Sequence, residues 1–423
     1  MKNLFLGDTG PLVYPAMHLY IYTFLYFLTS RGSDIRLAQF IFVGIYLVTL
    51  WLVLRLYSKT RKMPPYVVVL SVFTSYRIHS IYSLRLFNDP IAMMLLFAAL
   101  NLFMDRKWHI GSFVFSLAVG VKMNILLFAP AILIFYITNL GYIQTIVQLA
   151  ICGITQILIG APFLLSSPVS YIKGAFNFGR IFDHKWTVNY RFFSREFFES
   201  KTLHFTLLAI HILLLVIIAK PCYIFFKNYA RLRNLQKQFQ PQIEAENREI
   251  EDLVRQKMKK MKQKVTAEDE ELTDEQKKFL KSFEKGMKDQ YGNTKSAPEP
   301  IAEEDPKKIE IHFDQCVQLA LLPIFLVNFV GVICARSLHY QFYVWYFHSL
   351  PYLSFFTDFH TSFKILILFL IEFCWNQYPS TIFSSILLHV CHIILLVGVV
   401  KKMYRETRLA REAMNTANDQ KED

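Results

Sequence analysis

The chain has 423 residues, of which 53% are hydrophobic and 16% aromatic, and a formal net charge of +13. Apolar runs near the roughly twenty-residue length of a bilayer span recur along it, which excludes an ordinary soluble domain and predicts an all-α, polytopic helical membrane protein. The charge does not point to nucleic acid. Residues 227–314 carry 19 Lys/Arg and 19 Asp/Glu, so the excess of cations sits outside them, on short loops suited to anionic lipid or an anionic substrate.

In chain order, apolar runs are predicted at about 15–29, 37–57, 66–83, 90–104, 109–121, 124–139, 143–165, 203–219, 315–334, 350–358, 363–376 and 380–400. The first is short for a span and reads as re-entrant or interfacial. Residues 1–6 are too short for the charged and apolar parts of a signal peptide, so none is expected. Cys152, Cys222, Cys316, Cys334, Cys374 and Cys391 lie singly in or beside apolar runs. That pattern predicts small membrane-helix residues, and neither a zinc site nor a disulfide framework.

Lys59-Thr60-Arg61-Lys62, Arg106-Lys107, residues 227–314 and the basic tail read as cytosolic under the positive-inside rule. If 15–29 does not cross, residues 7–15, 31–36, 76–89, 122–124, 166–201, 336–348 and 375–378 all fall on the opposite face. The expected organisation has four parts. A first membrane part, 1–226, includes a basic non-cytosolic loop at 166–202. A charged cytosolic insertion, helical or disordered, follows at 227–314. A second membrane part covers 315–400, and a cytosolic tail covers 401–423.

The polar clusters follow the same order. Gly7-Asp8-Thr9-Gly10-Pro11-Leu12-Val13-Tyr14-Pro15 is a turn-rich loop that sets Asp8 ahead of an aromatic run, as a general base or as a helix cap. Asn88-Asp89-Pro90 reads as a helix start with proline in the first turn, which gives Asp89 a structural part. Arg77, His79 and Arg85 reach a cavity or snorkel to an interface. Lys122 and Asn124 interrupt an apolar run, so Lys122 marks an interfacial kink or an anion contact.

Residues 166–201 interleave Lys173, Arg180, Lys185, Arg191, Arg195 and Lys201 with Phe176, Phe178, Phe182, Trp186, Tyr190, Phe192 and Phe193. That is either an ordinary charged loop or a cationic surface for a phosphate-bearing ligand, lying on the membrane interface. Within it, Asp183-His184-Lys185-Trp186-Thr187-Val188-Asn189-Tyr190-Arg191 combines charge, amide and stacking surface, the mixture that sugar recognition requires. Residues 336–348 carry a cation, two imidazoles, an amide and many rings between two apolar runs. Arg336 and His339, at helical spacing, could clamp a phosphate, and His348 reads equally as an interface residue.

Residues 7–16, 85–90, 116–130, 160–191, 337–353 and 378–380 closely resemble the dolichyl-phosphate-mannose-dependent α-1,3-mannosyltransferases of the endoplasmic-reticulum asparagine-linked glycosylation pathway. The similarity runs from about Gly7 to the last apolar run, with 227–314 outside it. It is most specific at residues 7–15 and at His339-Tyr340-Gln341-Phe342-Tyr343-Val344-Trp345-Tyr346-Phe347-His348. The resemblance implies a GT-C-like bundle with luminal active-site loops in a multi-pass endoplasmic-reticulum membrane protein. It implies dolichyl-phosphate-mannose as donor, Man5GlcNAc2-PP-dolichol as acceptor, surrounding membrane lipids, and neither a metal nor another cofactor.

By the same resemblance, a carboxylate takes the acceptor hydroxyl proton, dolichyl phosphate leaves, and cations stabilise its charge. Asp8 is then the catalytic base. Arg336, His339, Gln341, Trp345, His348 and Lys122 hold the donor phosphate and sugar. Arg85, Asp183, Lys185, Trp186, Asn189 and Arg191 hold the acceptor or its diphosphate. The family's chains carry a further span and an acidic motif upstream of Gly7-Asp8, where this sequence has six residues. A base located there would make the chain a truncated, non-catalytic form; a base at Asp8, placed like the aspartate before Tyr-Pro in related glucosyltransferases, keeps the site whole. A lipid-linked-sugar transporter is the reading from another class, and the sequence shows no convincing repeat of the transporter kind.

Overall fold

The computed structural model describes residues 13–73, 75–177, 183–271, 273–291 and 313–422. Among the described residues every regular element is helical and none is a strand, as the succession of apolar runs predicts. The chain divides into two compact units, residues 1–231 with 314–423, and residues 232–313.

In the first unit, α1 (Ala16–Leu28) has 13 residues. At the helical rise that is about 20 Å, less than the hydrocarbon thickness of a bilayer. α2 (Ile35–Thr60) starts where Asp34 accepts the Leu37 N–H at 2.9 Å, and ends at Arg61 in a left-handed conformation with Lys59 in its last turn. A cation there suits the negative end of the helix. The run predicted at 66–83 is not one helix. α3 (Pro65–Phe73) ends, and α4 (Tyr76–His79) restarts where the Ser75 hydroxyl accepts the Ile78 N–H at 3.3 Å. α4 continues into a π turn, Ser80–Leu84.

The next element positions the site. α4 and its π turn meet α5 (Asn88–Met104) at 104°, with Leu86 at φ 50° taking up the turn. That backbone region is costly for a branched residue and marks a constrained corner. The corner aims the first turn of α5 inward, so Asn88, Asp89 and Pro90 are buried. α6 (Trp108–Val121) packs along α5. A 3-10 turn, Met123–Phe128, leads into α7 (Ala129–Ser166). Gly141, at φ 76°, breaks α7 between the two runs that the sequence separates, in a conformation that glycine adopts at little cost.

α8 (Pro168–Ala175), α9 (Arg195–Glu199) and α10 (Lys201–Glu271) follow. Residues 232–271 of α10 and α11 (Asp274–Tyr291) belong to the second unit. Back in the first unit, α12 (Val317–Ile333) has 15 of its 17 residues buried. A helix apolar on every side belongs at the centre of its bundle. The 3-10 turns Tyr340–Trp345 and Phe347–Ser349 precede α13 (Leu350–Phe356), α14 (Thr361–Asn376) and α15 (Ile382–Glu422).

Among the described residues four helical stretches are long and apolar enough to cross a membrane, Ile35–Thr60, Met123–Ser166, Lys201–Lys260 and Ile382–Ala410, or five if the bent α4–α5 pair is one span. Phe40, Trp51, Leu158, Leu165, Val216 and Phe383 on these elements are exposed. Apolar surface of that extent needs lipid around it.

Candidate functional site

The inward turn of α5 brings Asp89 to a position with no solvent exposure. Both carboxylate oxygens accept from Lys122 Nζ at 2.7 Å, and the Trp345 indole N–H also donates to the carboxylate. Lys122 ends α6 with extended backbone, φ −158° and ψ 129°, which swings its side chain off the helix. Asn88 Oδ1 lies 3.4 Å from the same ammonium, and the Asn88 amide lies 3.4 Å from His18 Nδ1.

Three rings wall the ammonium: Phe342 at 5.0 Å, Tyr14 at 5.5 Å and Trp345 at 5.7 Å. Phe342 and Trp345 stack 3.9 Å apart, and the His339 ring lies 5.4 Å from Phe342. The His18 ring is held between Tyr14 and Tyr22. A cation in an aromatic cage is stabilised by the ring faces, and a desolvated ion pair survives only if its hydrogen bonds are filled. Both conditions are met here.

Three other segments converge around residue 189. Asn189 is fully buried. Its Oδ1 accepts from Thr187 Oγ1 at 2.7 Å and from the Leu338 N–H at 2.9 Å, and its Nδ2 donates to the Ala335 carbonyl at 2.8 Å. Val188 N–H donates to the Leu338 carbonyl at 2.8 Å, Ser380 Oγ to the Thr187 carbonyl at 2.6 Å, and Arg191 N–H to Ser385 Oγ at 3.1 Å. These bonds fasten residues 187–191, 335–338 and 380–385 into one rigid layer.

The structure distributes the residues singled out in the sequence unevenly. Lys122 and Trp345 meet at Asp89, and His339 lies against Phe342 of the same aromatic cage. Gln341 is half-buried in the same 3-10 turn. Arg336 is half-buried with its guanidinium 3.4 Å from His204 Nδ1, at the start of α10. Residues 335–339 are not helical, so Arg336 and His339 do not share a helix face as their spacing suggests. His348 is buried with its ring against Phe97 and Phe347, and its carbonyl accepts from the Tyr57 hydroxyl.

The Asn189 amide is engaged inside the loop layer. Asp89 is a correction. Phe87 is the N-cap and makes no side-chain cap bond, and the Asp89 carboxylate is engaged by Lys122. Asp183 accepts the Lys185 N–H at 3.0 Å, Arg191 donates to the His184 carbonyl at 2.9 Å, and Lys185, Trp186 and Arg85 are exposed. Asp8, Phe178, Arg180 and Phe182 lie outside the described residues.

One group escaped sequence reasoning. Glu372 of α14 accepts from Ser75 Oγ at 2.9 Å, from the Tyr343 hydroxyl at 2.7 Å and from Asn376 Nδ2 at 2.6 Å, tying α4, the 3-10 turn and α14 together. The available signal was a lone carboxylate inside the apolar run 363–376.

A family-wide sequence profile described as ALG3 protein matches residues 2–385. The chain is 58% identical over 418 residues to the Drosophila melanogaster protein named dolichyl-P-Man:Man5GlcNAc2-PP-dolichol alpha-1,3-mannosyltransferase Alg3, covering 99% of this chain and 81% of that one. It is 40% identical over 395 residues to the Mus musculus Dol-P-Man:Man(5)GlcNAc(2)-PP-Dol alpha-1,3-mannosyltransferase, covering 92% and 74%. It is 39% identical over 393 residues to the Arabidopsis thaliana protein of that name, covering 93% and 76%. No solved structure matches.

Proposed function

From the premise that the chain belongs to the ALG3 protein family, we propose that it transfers mannose in α-1,3 linkage from dolichyl-phosphate-mannose to Man5GlcNAc2-PP-dolichol. It does so on the luminal side of the endoplasmic-reticulum membrane during assembly of the N-glycan precursor. The observation that carries this reading is the 58% identity across 99% of the chain to a relative named for that transfer. The caged cation beside a stacked aromatic wall supports it, because a phosphate-linked sugar needs both.

In this reading the acceptor 3-hydroxyl oxygen attacks the anomeric carbon of the mannose. The bond from that carbon to the phosphate oxygen breaks, and its electron pair leaves with dolichyl phosphate. Attack from the opposite face turns the β-linked donor into an α-linked product. Asp8 takes the hydroxyl proton. It is six residues before Tyr14, whose ring faces Lys122, and six extended residues reach about 20 Å. Asp89 is a poor base because Lys122 and Trp345 already donate to it. Lys122 is held ready for the developing phosphate charge, and Asp89 balances it while the site is empty. Arg336 adds a second positive charge, and His339, Gln341 and Trp345 form the donor wall.

The test is incubation of the purified, membrane-inserted full chain with both lipid-linked substrates. One added α-1,3-mannose on the acceptor is the expected result. No elongated product from a correctly inserted chain ends the proposal.

A further inference from the structure

Residues from four separate segments form a continuous ladder outside the Lys122 cage. Lys185 Nζ lies 5.0 Å over the Trp186 ring. Trp186 stacks on Tyr378, with centroids 6.3 Å apart and planes 16° from parallel. Tyr378 meets the edge of Tyr340 at 5.5 Å, and the Arg77 guanidinium lies 4.7 Å over the other end, the Tyr340 ring. The order is therefore cation, three rings, cation. Trp186 is 39% and Tyr378 59% exposed, so the middle of the ladder is open.

The ladder is also stiff. The Tyr340 hydroxyl donates to the Gln377 carbonyl at 2.8 Å, and Ser380 Oγ donates to the Thr187 carbonyl, which fixes the Tyr378 and Trp186 segments to each other. Tyr340 opens the 3-10 turn that ends at Trp345, so the ladder runs directly into the donor wall. A plain membrane-interface aromatic belt has no need of rings clamped between loops that are remote in sequence. Trp186 and Tyr378, exposed and 16° from parallel, offer ring surface to the apolar C–H patches of an oligosaccharide, and the flanking cations bond its hydroxyls. The half-buried Tyr340, turned 65° from Tyr378, joins them to Arg77.

The geometry points to Trp186, Tyr378 and Tyr340 as the platform on which the oligosaccharide of the acceptor lies, with Lys185 and Arg77 at its two ends. This rests on the transfer reaction proposed above, and it adds residues 77, 340 and 378 to the acceptor side. The platform selects the acceptor and takes no part in bond making.

Its test is binding of free Man5GlcNAc2 oligosaccharide to the detergent-solubilised full chain, followed by saturation-transfer NMR and independent of any transfer. Trp186→Ala and Tyr378→Ala should each weaken binding by about tenfold, the scale of one lost ring contact. Tyr378→Phe, which keeps the ring face, should restore it. In the transfer assay the same alanine variants should raise KM for the acceptor and leave KM for the donor unchanged. Equal glycan affinity in parent and alanine variants, or no glycan binding by the parent, overturns the platform. If the parent binds glycan through these rings yet transfers no mannose, the platform stands and the reaction falls.

Discussion

α5 carries an aspartate ion pair at each end, and the two pairs differ in almost everything except distance. At its first turn Asp89 meets Lys122 at 2.7 Å, with 0% and 8% of the side chains exposed. Just past its last turn Asp105 meets Arg55, also at 2.7 Å, and Lys59, with 25% of Asp105 and 36% of Arg55 exposed. The outer group keeps part of its surface in water, which screens it and makes it the weaker of the two. The inner pair has lost its water and depends on its own hydrogen bonds, so breaking it strands a charge. The lesson is that burial, not geometry, sets how strongly each pair depends on its partner.

The largest expected effects break the inner pair. Asp89→Asn should cost about 3–5 kcal/mol by leaving Lys122 buried without its counter-ion, read as a fall in the melting temperature of the purified protein. The double variant Asp89→Asn with Lys122→Met should recover much of that stability yet stay inactive. Full transfer by the double variant would reduce the pair to scaffolding. Asp8→Asn tests the carboxylate proposed as the base of the transfer. It should lower kcat by about 10²–10⁴-fold with stability unchanged, and retained activity would move the base elsewhere.

A smaller effect is expected from Arg336→Ala, a rise of about tenfold in apparent KM for the donor, the scale of one charge-assisted bond. An unchanged donor KM removes Arg336 from the site. The smallest belongs to the outer pair: Asp105→Asn should cost under about 1 kcal/mol and leave transfer intact. Burial alone would raise the Asp105 carboxyl, but the hydrogen bonds and charges of Lys59 and Arg55 outweigh it and hold it below the ordinary carboxylate value. Its contribution is thus complete above about pH 4 and fades as pH falls through the depressed value. Acid titration of the melting temperature should show a shallow loss in the parent that Asp105→Asn lacks.

The helical class and most apolar runs were legible, because a bilayer imposes a length and an apolar composition that survive in the sequence. Gly141 announced its break through residue type. Lys122 was also legible, as a cation inside an apolar run. Its partner was not: Asp89 sits beside Pro90 in a pattern that reads as a helix cap, and only the 104° corner turns it inward. The partners of Asn189 were not legible either. Its neighbours suit a sugar, but an amide offers both a donor and an acceptor, and the loop layer uses both. His348 shares a polar-aromatic stretch with His339, yet irregular 3-10 turns point the two rings in different directions. Spacing alone does not resolve that.

α12 has one more consequence, for how the chain is made. A 17-residue helix buried on nearly every side follows the charged insertion in the sequence and packs on α2 and α7, which are made long before it. α2 and α7 are therefore synthesised before the helix that covers part of their surface. The site is completed later still, because Phe342, Trp345, Glu372 and Ser380 all follow α12 in the chain. Chains stalled before Val317 should accordingly crosslink to lipid from α2 and α7 positions that the finished protein shields.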